Sequence, residues 1–269
     1  MQILEAAVAE RANPWPLRRE RAAELGARHP HAAEMLRLYQ ALIPIQERVY
    51  LEARSTRLPR EDLPQFAVAN ILPEIVDATV KSGPARLRDG VISVFCSADL
   101  PALIRRWLSH ESLTPFETYL ARASASPLLE AVPSFPPPRA GESQSAGGVC
   151  PSCRALPQLS YFAVSGEALV SGPRYLVCSR CATNWIFSRM TCPGCGETDG
   201  TKLPIFQEDE LFPHMRVDGC RSCHRYLLTV DLRRDARAVP IVDELAALPL
   251  DLYAMDQGLT KITPNLLGN

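Results

Sequence analysis

The 269-residue sequence lacks the features that mark several common classes of protein. Its longest apolar runs fall far short of the roughly 18 residues that a membrane-spanning helix needs. Its start, "MQILEAAVAERANPWPLRRER", has no apolar stretch behind basic residues, so neither a signal peptide nor a twin-arginine signal is expected. A net charge of −1 disfavours a protein whose main task is to grip nucleic acid. We expect a cytoplasmic protein without membrane insertion.

Recognisable catalytic motifs are also missing. The sequence contains no G-x-S-x-G, P-loop or G-x-G-x-x-G pattern, and four of its five histidines are scattered. Hydrophobic residues make up 46% and charged residues 22%, which is the composition of a globular chain with a packed core.

The first half predicts a helical domain over residues 1–132, with one cysteine, Cys96. Apolar residues at steps of three and four form one stripe there: Met35, Leu38, Leu42, Ile45 and Val49. Pro44 lies inside this stripe and predicts a kink or a break. The run 64–82 repeats the pattern around Pro73. Three further helices are predicted over 84–97, 99–109 and 113–132, and Cys96 is expected to be a small buried hydrophobe.

Two other segments flank the remaining cysteines. Residues 133–149 contain three consecutive prolines, glycine and serine, which predict a linker. Residues 238–269 predict a C-terminal helix and tail, with Pro240 in the first turn, a bend at Pro249 and a stop at Gly258. Its expected apolar stripe consists of Ile241, Leu245, Leu248, Leu252 and Met255.

Eight cysteines form four C-x-x-C pairs in two equal frames. Twenty-four residues, 154–177, separate the first two pairs, and 24 residues, 196–219, separate the last two. A shift of 42 residues superposes all four cysteines of one frame on the other, which indicates an internal duplication. The two units are predicted over 150–190 and 191–237. The eight cysteines are Cys150, Cys153, Cys178, Cys181, Cys192, Cys195, Cys220 and Cys223.

This spacing predicts two metal sites. A C-x-x-C turn brings two thiolates to one ion, and two such knuckles complete a tetrahedron of sulfurs. Metal binding would also stabilise small strand ribbons that cannot bury enough apolar surface alone. Equal spacing favours sequential pairing within each unit over a cross-braced arrangement. The residues alone do not separate zinc from iron, and a closed four-sulfur site leaves no position for a hydrolytic water.

Three other interpretations fit less well. "CRSCH", residues 220–224, has the haem-attachment pattern, but no other pair is followed by histidine; His224 is expected to face solvent. No pair has the strand–helix context of a thioredoxin-like dithiol. Between residues 150 and 237 there are 11 Lys/Arg and 9 Asp/Glu, and two four-thiolate ions would make the region slightly negative. That balance disfavours binding to the phosphate backbone of nucleic acid. We expect four aromatic residues to lie in the core of the strand ribbons: Tyr161, Tyr175, Trp185 and Tyr226.

The run "CPSC…RYLVCSRCATNWIFSRMTCPGCG…CRSCHRYLLTVD" resembles the cysteine-rich half of formate dehydrogenase accessory proteins of the FdhE type. "RRERAAELGARHPHAAEMLRLYQALIPIQERV" and "VDELAALPLDLYAMDQGLTKITPNLL" are similar to that family's flanking segments. The family commonly has glycine after the first knuckle, where this chain has Arg154. That departure concerns the local turn rather than the ligands.

The resemblance implies a helical N-terminal domain, two tandem rubredoxin-like or zinc-ribbon-like modules and a C-terminal helix. It implies a non-enzymatic maturation factor that binds the catalytic subunit of an exported formate dehydrogenase. It also implies that the eight paired cysteines hold two metal ions, iron favoured and zinc the alternative, and it supplies no catalytic residue. Two other functions stay open: a thiol- or sulfur-handling redox enzyme acting on the same client, and a zinc-ribbon nucleic-acid binder.

Overall fold

A computed structural model describes residues 13–132, 147–164 and 172–268. Helices fill the first of these ranges, and strands and two short helices fill the others. The helices are α1 (Trp15–Arg28), α2 (Ala33–Thr56), α3 (Leu63–Asn70), α4 (Leu72–Ser82), α5 (Ala85–Ser97), α6 (Leu100–Leu108), α7 (Pro115–Ala131), α8 (Pro240–Ala246) and α9 (Leu248–Asp256). The strands are β1 (Pro157–Phe162), β2 (Arg174–Cys178), β3 (Asn184–Ile186), β4 (Ile205–Gln207), β5 (Met215–Cys220), β6 (Arg225–Asp231) and β7 (Thr260–Lys261).

Helix α2 is the centre of the helical half and packs against α1, α4 and α7. The helix continues through Pro44, so of the predicted kink or break, the break does not occur. Leu38, Leu42 and Val49 of the expected stripe are fully buried. The second proline-containing run forms two helices, because α3 ends at Asn70 and α4 begins at Leu72. Pro73 lies in the first turn of α4, where a backbone N–H group would have no partner within the helix, so proline costs no hydrogen bond there.

The expectation that Cys96 is buried is wrong. Its side chain is exposed near the end of α5, a helix in which only Val91 is fully buried. The run "VISVFC" is apolar except for Ser93, but α5 lies on the outside of the bundle and turns one narrow face inward. The apolar neighbours of Cys96 in the sequence therefore do not indicate that its thiol is buried.

The strands form one sheet in the order β3-β2-β1-β6-β5-β4, with β7 beside β6. The 42-residue shift carries β2 onto β5 and β3 onto β6. The sheet therefore consists of one three-strand unit, β3-β2-β1, followed by a second unit, β6-β5-β4, whose strands come in the same order. The units meet where β1 pairs in parallel with β6, while the pairs inside each unit are antiparallel. The two cysteine units are thus halves of one sheet rather than two separate modules.

The C-terminal segment is two short helices and a strand rather than one bent helix. The break falls at Ala247, ahead of Pro249, and it rotates α9 relative to α8. Leu252 and Met255 of the expected stripe are therefore exposed, and Leu250 and Ala254 are buried instead. Strand β7 then pairs in parallel with Arg225 and Tyr226 at the start of β6, ahead of the residues that pair with β1, which ties the tail to the second cysteine unit.

Helix α8 joins the two halves through adjacent buried carboxylates. Asp243 accepts hydrogen bonds from Arg21 of α1 at 2.5 Å and contacts His214 Nε2 at 2.8 Å. Glu244 is fully buried and pairs with Lys261 of β7 at 2.8 Å. Burial raises the pKa of Glu244, and the Lys261 ammonium opposes that shift. Because a buried charge is costly without a partner, these pairs fix α8 between the helices and the sheet.

The structure confirms the predicted fold class: a helical N-terminal region, a small sheet that carries the cysteines, and C-terminal helices. The predicted linker lies outside the described residues except for positions 147–149. Within the described ranges, no helix combines the length and the apolarity that crossing a membrane requires.

Candidate metal centres

The structure gathers the eight sulfurs into two groups of four, and each group belongs to one sequence unit. In each group all four sulfur atoms lie within 4.8 Å of one another. The first centre consists of Cys150, Cys153, Cys178 and Cys181, and the second centre of Cys192, Cys195, Cys220 and Cys223. This grouping is the sequential one and not the cross-braced one.

The sulfur–sulfur distances match a tetrahedron around a metal ion. With a metal–sulfur bond of about 2.3 Å, the edge of a regular tetrahedron is about 3.8 Å. In the first centre Cys150–Cys181 is 3.7 Å and Cys153–Cys181 is 3.6 Å. In the second centre Cys192–Cys223 is 3.8 Å and Cys195–Cys220 is 3.7 Å. The Cys153–Cys178 distance in the first centre is shorter, at 3.3 Å. All eight cysteines are free thiols in the structure, so each group can offer four sulfur atoms to one ion.

In the first three knuckles a backbone N–H group donates a hydrogen bond to the first sulfur. The N–H of Ser152 donates to Cys150 Sγ at 3.4 Å, that of Arg180 to Cys178 Sγ at 3.4 Å, and that of Gly194 to Cys192 Sγ at 3.3 Å. Such bonds favour the thiolate form that a metal requires. The repeated pattern shows why the C-x-x-C spacing matters, since the turn delivers both the ligand and its hydrogen-bond donor.

The residue after each knuckle has a left-handed backbone. The φ angles are 64° at Arg154, 51° at Ala182, 82° at Gly196 and 54° at His224. Only Gly196 adopts this region without a steric cost, since it has no Cβ atom. Arg154 therefore makes the same turn as Gly196, and its departure from the family's glycine does not alter the ligand geometry.

The helical domain covers the first centre. Arg180 lies between its two ligands Cys178 and Cys181, and its guanidinium stacks 4.5 Å from the ring centroid of Trp107 and donates to the Trp107 carbonyl. His110 Nε2 hydrogen-bonds to the Cys153 carbonyl at 2.9 Å. All four sulfur ligands of this centre are buried. The first centre is therefore part of the contact between α6 and the sheet.

Two cations beside the first centre complement its negative charge. Arg122 of α7 is buried, donates to the Pro264 carbonyl at 2.7 Å and also bonds Gln158. Burial lowers the pKa of Arg122 to about 10, and Glu244 and Cys178 oppose that shift. Burial likewise lowers the pKa of Arg180, opposed by Cys153 and Cys178. Because arginine side chains are always charged in proteins, both guanidinium groups can offset thiolate charge.

The second centre is open to solvent on one side. Cys195 is exposed and Cys223 is half-buried, whereas Cys192 and Cys220 are buried. Glu197 connects its two knuckles, because its carboxylate accepts from Ser222 Oγ at 2.5 Å and from the N–H groups of Thr198 and Asp199. The Ser222 hydroxyl and these backbone donors hold the pKa of Glu197 down at about 2.

Sequence reasoning identified the sulfurs but missed the residues that surround them. Arg122 and Trp107 come from distant helices, so no local motif could have indicated them. Glu197 lies two residues after Cys195 of the third knuckle, but nothing in the spacing shows that its side chain reaches the fourth. His224 is exposed, as expected, and Trp185 and Tyr226 lie in the sheet core.

The family comparison matches the cysteine-bearing half of the chain. Residues 149–189 match the description "FdhE, central domain" and residues 190–267 match "FdhE, C-terminal domain". A protein named "Protein FdhE homolog" from Aquifex aeolicus (strain VF5) is 34% identical over 119 residues, which is 44% of this chain and 41% of that protein. A namesake from Pseudomonas putida KT2440 is 30% identical over 159 residues, 58% of this chain and 48% of that protein. Both matches thus span less than half of the relative's own length.

A solved structure extends the likeness of fold to nearly the whole chain. The crystal structure titled as the FdhE protein from Pseudomonas aeruginosa superposes with a TM-score of 0.64 and covers 95% of each chain. At 22% identity this likeness concerns the fold alone. It includes the helical region, which lies outside the two matched family domains.

Proposed function

Since the chain belongs to the FdhE family, we propose that it is a non-enzymatic maturation factor required for the activity of an exported formate dehydrogenase. In this role it binds the catalytic subunit of that enzyme in the cytoplasm, through a scaffold stabilised by metal. The match of residues 149–267 to the two family domains is the observation that carries the proposal. The closed four-sulfur groups agree with it, because neither offers an open position for a substrate or a water.

The metal ligands in this proposal are the eight paired cysteines, four to each ion. We favour iron in rubredoxin-like sites, with zinc as the alternative, because the family resemblance favours iron while four thiolates suit either metal. Elemental analysis and a visible spectrum of protein purified without air measure this directly. Two iron atoms per chain with thiolate-to-iron absorption support the proposal, and two zinc atoms without colour select the alternative.

Deletion of the gene and measurement of formate dehydrogenase activity test the function. We expect activity to fall, to return with the wild-type gene, and to return equally with Cys96→Ser, which removes the cysteine outside both centres. A Cys178→Ser gene should fail to restore it. Unchanged activity in the deletion strain would refute the role. Co-purification of the tagged protein with the catalytic subunit tests the contact separately.

A thiol- or sulfur-handling enzyme is the second candidate, and the exposure of Cys195 is the observation that favours it. Such an enzyme needs a thiolate that reacts while metal is bound. Brief alkylation of metal-loaded protein followed by peptide mass spectrometry separates the two candidates. Modification of Cys195 at the rate of Cys96 would support the enzyme, and protection of Cys195 supports the scaffold.

A further inference from the structure

A basic cavity of about 210 Å³ lies beside the second centre, where the two halves of the sheet meet. Cys192 forms one edge of it. Asp218 is the only acidic residue among the described residues that line it. Five arginines line it as well: Arg174, Arg189, Arg216, Arg225 and Arg233.

Three of the arginines converge on one aromatic ring. The guanidinium carbons of Arg189, Arg216 and Arg233 lie 4.6, 4.7 and 5.1 Å from the ring centroid of Phe162. Cation–π contacts favour each one singly, but the three charges repel one another. Burial lowers the pKa of Arg189, and the charges of Arg233 and Arg216 lower it further. A bound anion would remove that repulsion.

The carboxylates near the cavity are already engaged. Asp218 accepts a hydrogen bond from the buried Arg174 at 3.2 Å and pairs with Arg216 at 2.8 Å. Asp231 pairs with Arg233 at 2.5 Å. Arg189 and Arg225 have no carboxylate within ion-pair distance among the described residues, so the five arginines share two carboxylates there, Asp218 and Asp231. Guanidinium groups in such an array donate paired hydrogen bonds that fit carboxylate and phosphate oxygens.

Apolar residues also line the cavity. They are Pro193, Leu203 and Ile262, together with Met190 and Ile205, which are more than half exposed. From the arginines and the apolar lining together, we propose that this cavity binds a small oxyanion, a carboxylate or a phosphate monoester, carried on an apolar or aromatic body. The volume suits a ligand of the size of phenyl phosphate rather than a large cofactor or a folded partner.

A structural role for the arginines would give a different result. Because Cys192 lines the cavity, the alternative role of the arginine cluster is only to balance thiolate charge at the second centre. In that case, loss of an arginine would release metal and leave anion binding unaffected. Metal content therefore has to be measured for every variant beside anion binding.

Isothermal titration of the full-length, metal-loaded protein tests the site, with chloride holding the ionic strength constant. Phenyl phosphate and benzoate are the probes with an apolar body, and inorganic phosphate and acetate are their small counterparts. We expect saturable binding at one site per chain, tighter for the probe with the ring than for its counterpart. Whichever of phenyl phosphate and benzoate binds with the higher affinity shows whether the site prefers a phosphate monoester or a carboxylate.

Neighbouring arginines provide a matched pair of variants. Arg233 lines the cavity, whereas Arg234 is similarly exposed and pairs with Asp209 away from it. Arg233→Gln should weaken probe binding about tenfold or more, as expected when a charge-assisted hydrogen bond is lost, with two metal ions retained. Arg234→Gln should bind like the wild type.

Three outcomes overturn the proposal: no saturable binding of any probe by the wild type, equal weakening in both variants, or metal loss from Arg233→Gln with binding unchanged. If Arg233→Gln does not fold, phenylglyoxal modification of the wild type decides the question. The probe must then protect Arg189 and Arg233 but not Arg234, and absence of protection refutes the site. None of these measurements involves formate dehydrogenase, so this site and the proposed function can fail separately.

Discussion

Replacement of Cys178 by serine should destabilise the protein far more than replacement of Cys195. Cys178 is buried at the end of β2, 3.3 Å from Cys153, in the centre that contacts α6. Cys195 is the exposed ligand of the second centre. Structural metal ions of this kind contribute on the order of 10–16 kcal/mol, so one ligand in four accounts for about 3–4 kcal/mol in either variant.

The environments of the two positions separate the variants. A serine hydroxyl at position 178 stays buried without a metal bond, which costs about 1–3 kcal/mol more, and the guanidinium of Arg180 loses one of the thiolate charges that it offsets. At position 195 water hydrates the hydroxyl. We therefore expect a loss of roughly 4–7 kcal/mol for Cys178→Ser and about 3–4 kcal/mol for Cys195→Ser. In a chain of this size each kcal/mol corresponds to about 2–4 °C in Tm.

Thermal unfolding followed by circular dichroism, with metal counted by elemental analysis, is the assay. Cys178→Ser should lower Tm by roughly 10–25 °C and release the ion of its first centre to a chelator more readily than the wild type. Cys195→Ser should lower Tm by about half as much, and its first centre should keep a full complement of metal. Equal Tm values for the two variants, or a larger loss at Cys195, would show that burial against the helices does not stabilise the first centre.

Three further predictions concern single positions. Metal-loaded protein should take up one maleimide rapidly, at Cys96, and uptake should vanish in Cys96→Ser; rapid labelling of a second cysteine would contradict closed centres. Gly196→Ala should lower the free energy of unfolding by about 1 kcal/mol, and Arg154→Gly should raise it by a similar amount, because both positions have φ above 60°. A Cβ at Gly196 would meet no atom within 4 Å, so backbone strain alone is tested there. Chemical denaturation measures both variants, and a change of the same sign in the two would refute the strain argument. Glu197→Gln should increase chelator-driven release of one of the two ions about tenfold, since Glu197 connects the knuckles of the second centre, and release of both ions together would contradict this.

The spacing made the grouping of the eight sulfurs predictable, but it did not predict burial or packing. A C-x-x-C turn is local, so the grouping of eight sulfurs follows from four short motifs and two equal intervals. The exposure of Cys96 depends on where α5 lies in the bundle, which no local pattern contains. The stripe ending at Met255 failed for a related reason, because a break at Ala247 rotates one helix and exchanges its buried and exposed faces.

The sheet order explains why two copies of one unit acquire different surroundings. In a direct repeat, each unit has one edge that faces its copy and one that does not. The first unit joins the second through β1, and its knuckles lie under α6 and beside Arg122 of α7. The second unit receives β7 beside β6, and the tail leaves Cys195 in solvent. Duplication fixed the ligand geometry in both units, and the helices then buried only one of them. The centre that exchanges metal, or meets a ligand in the neighbouring basic cavity, should therefore be the second.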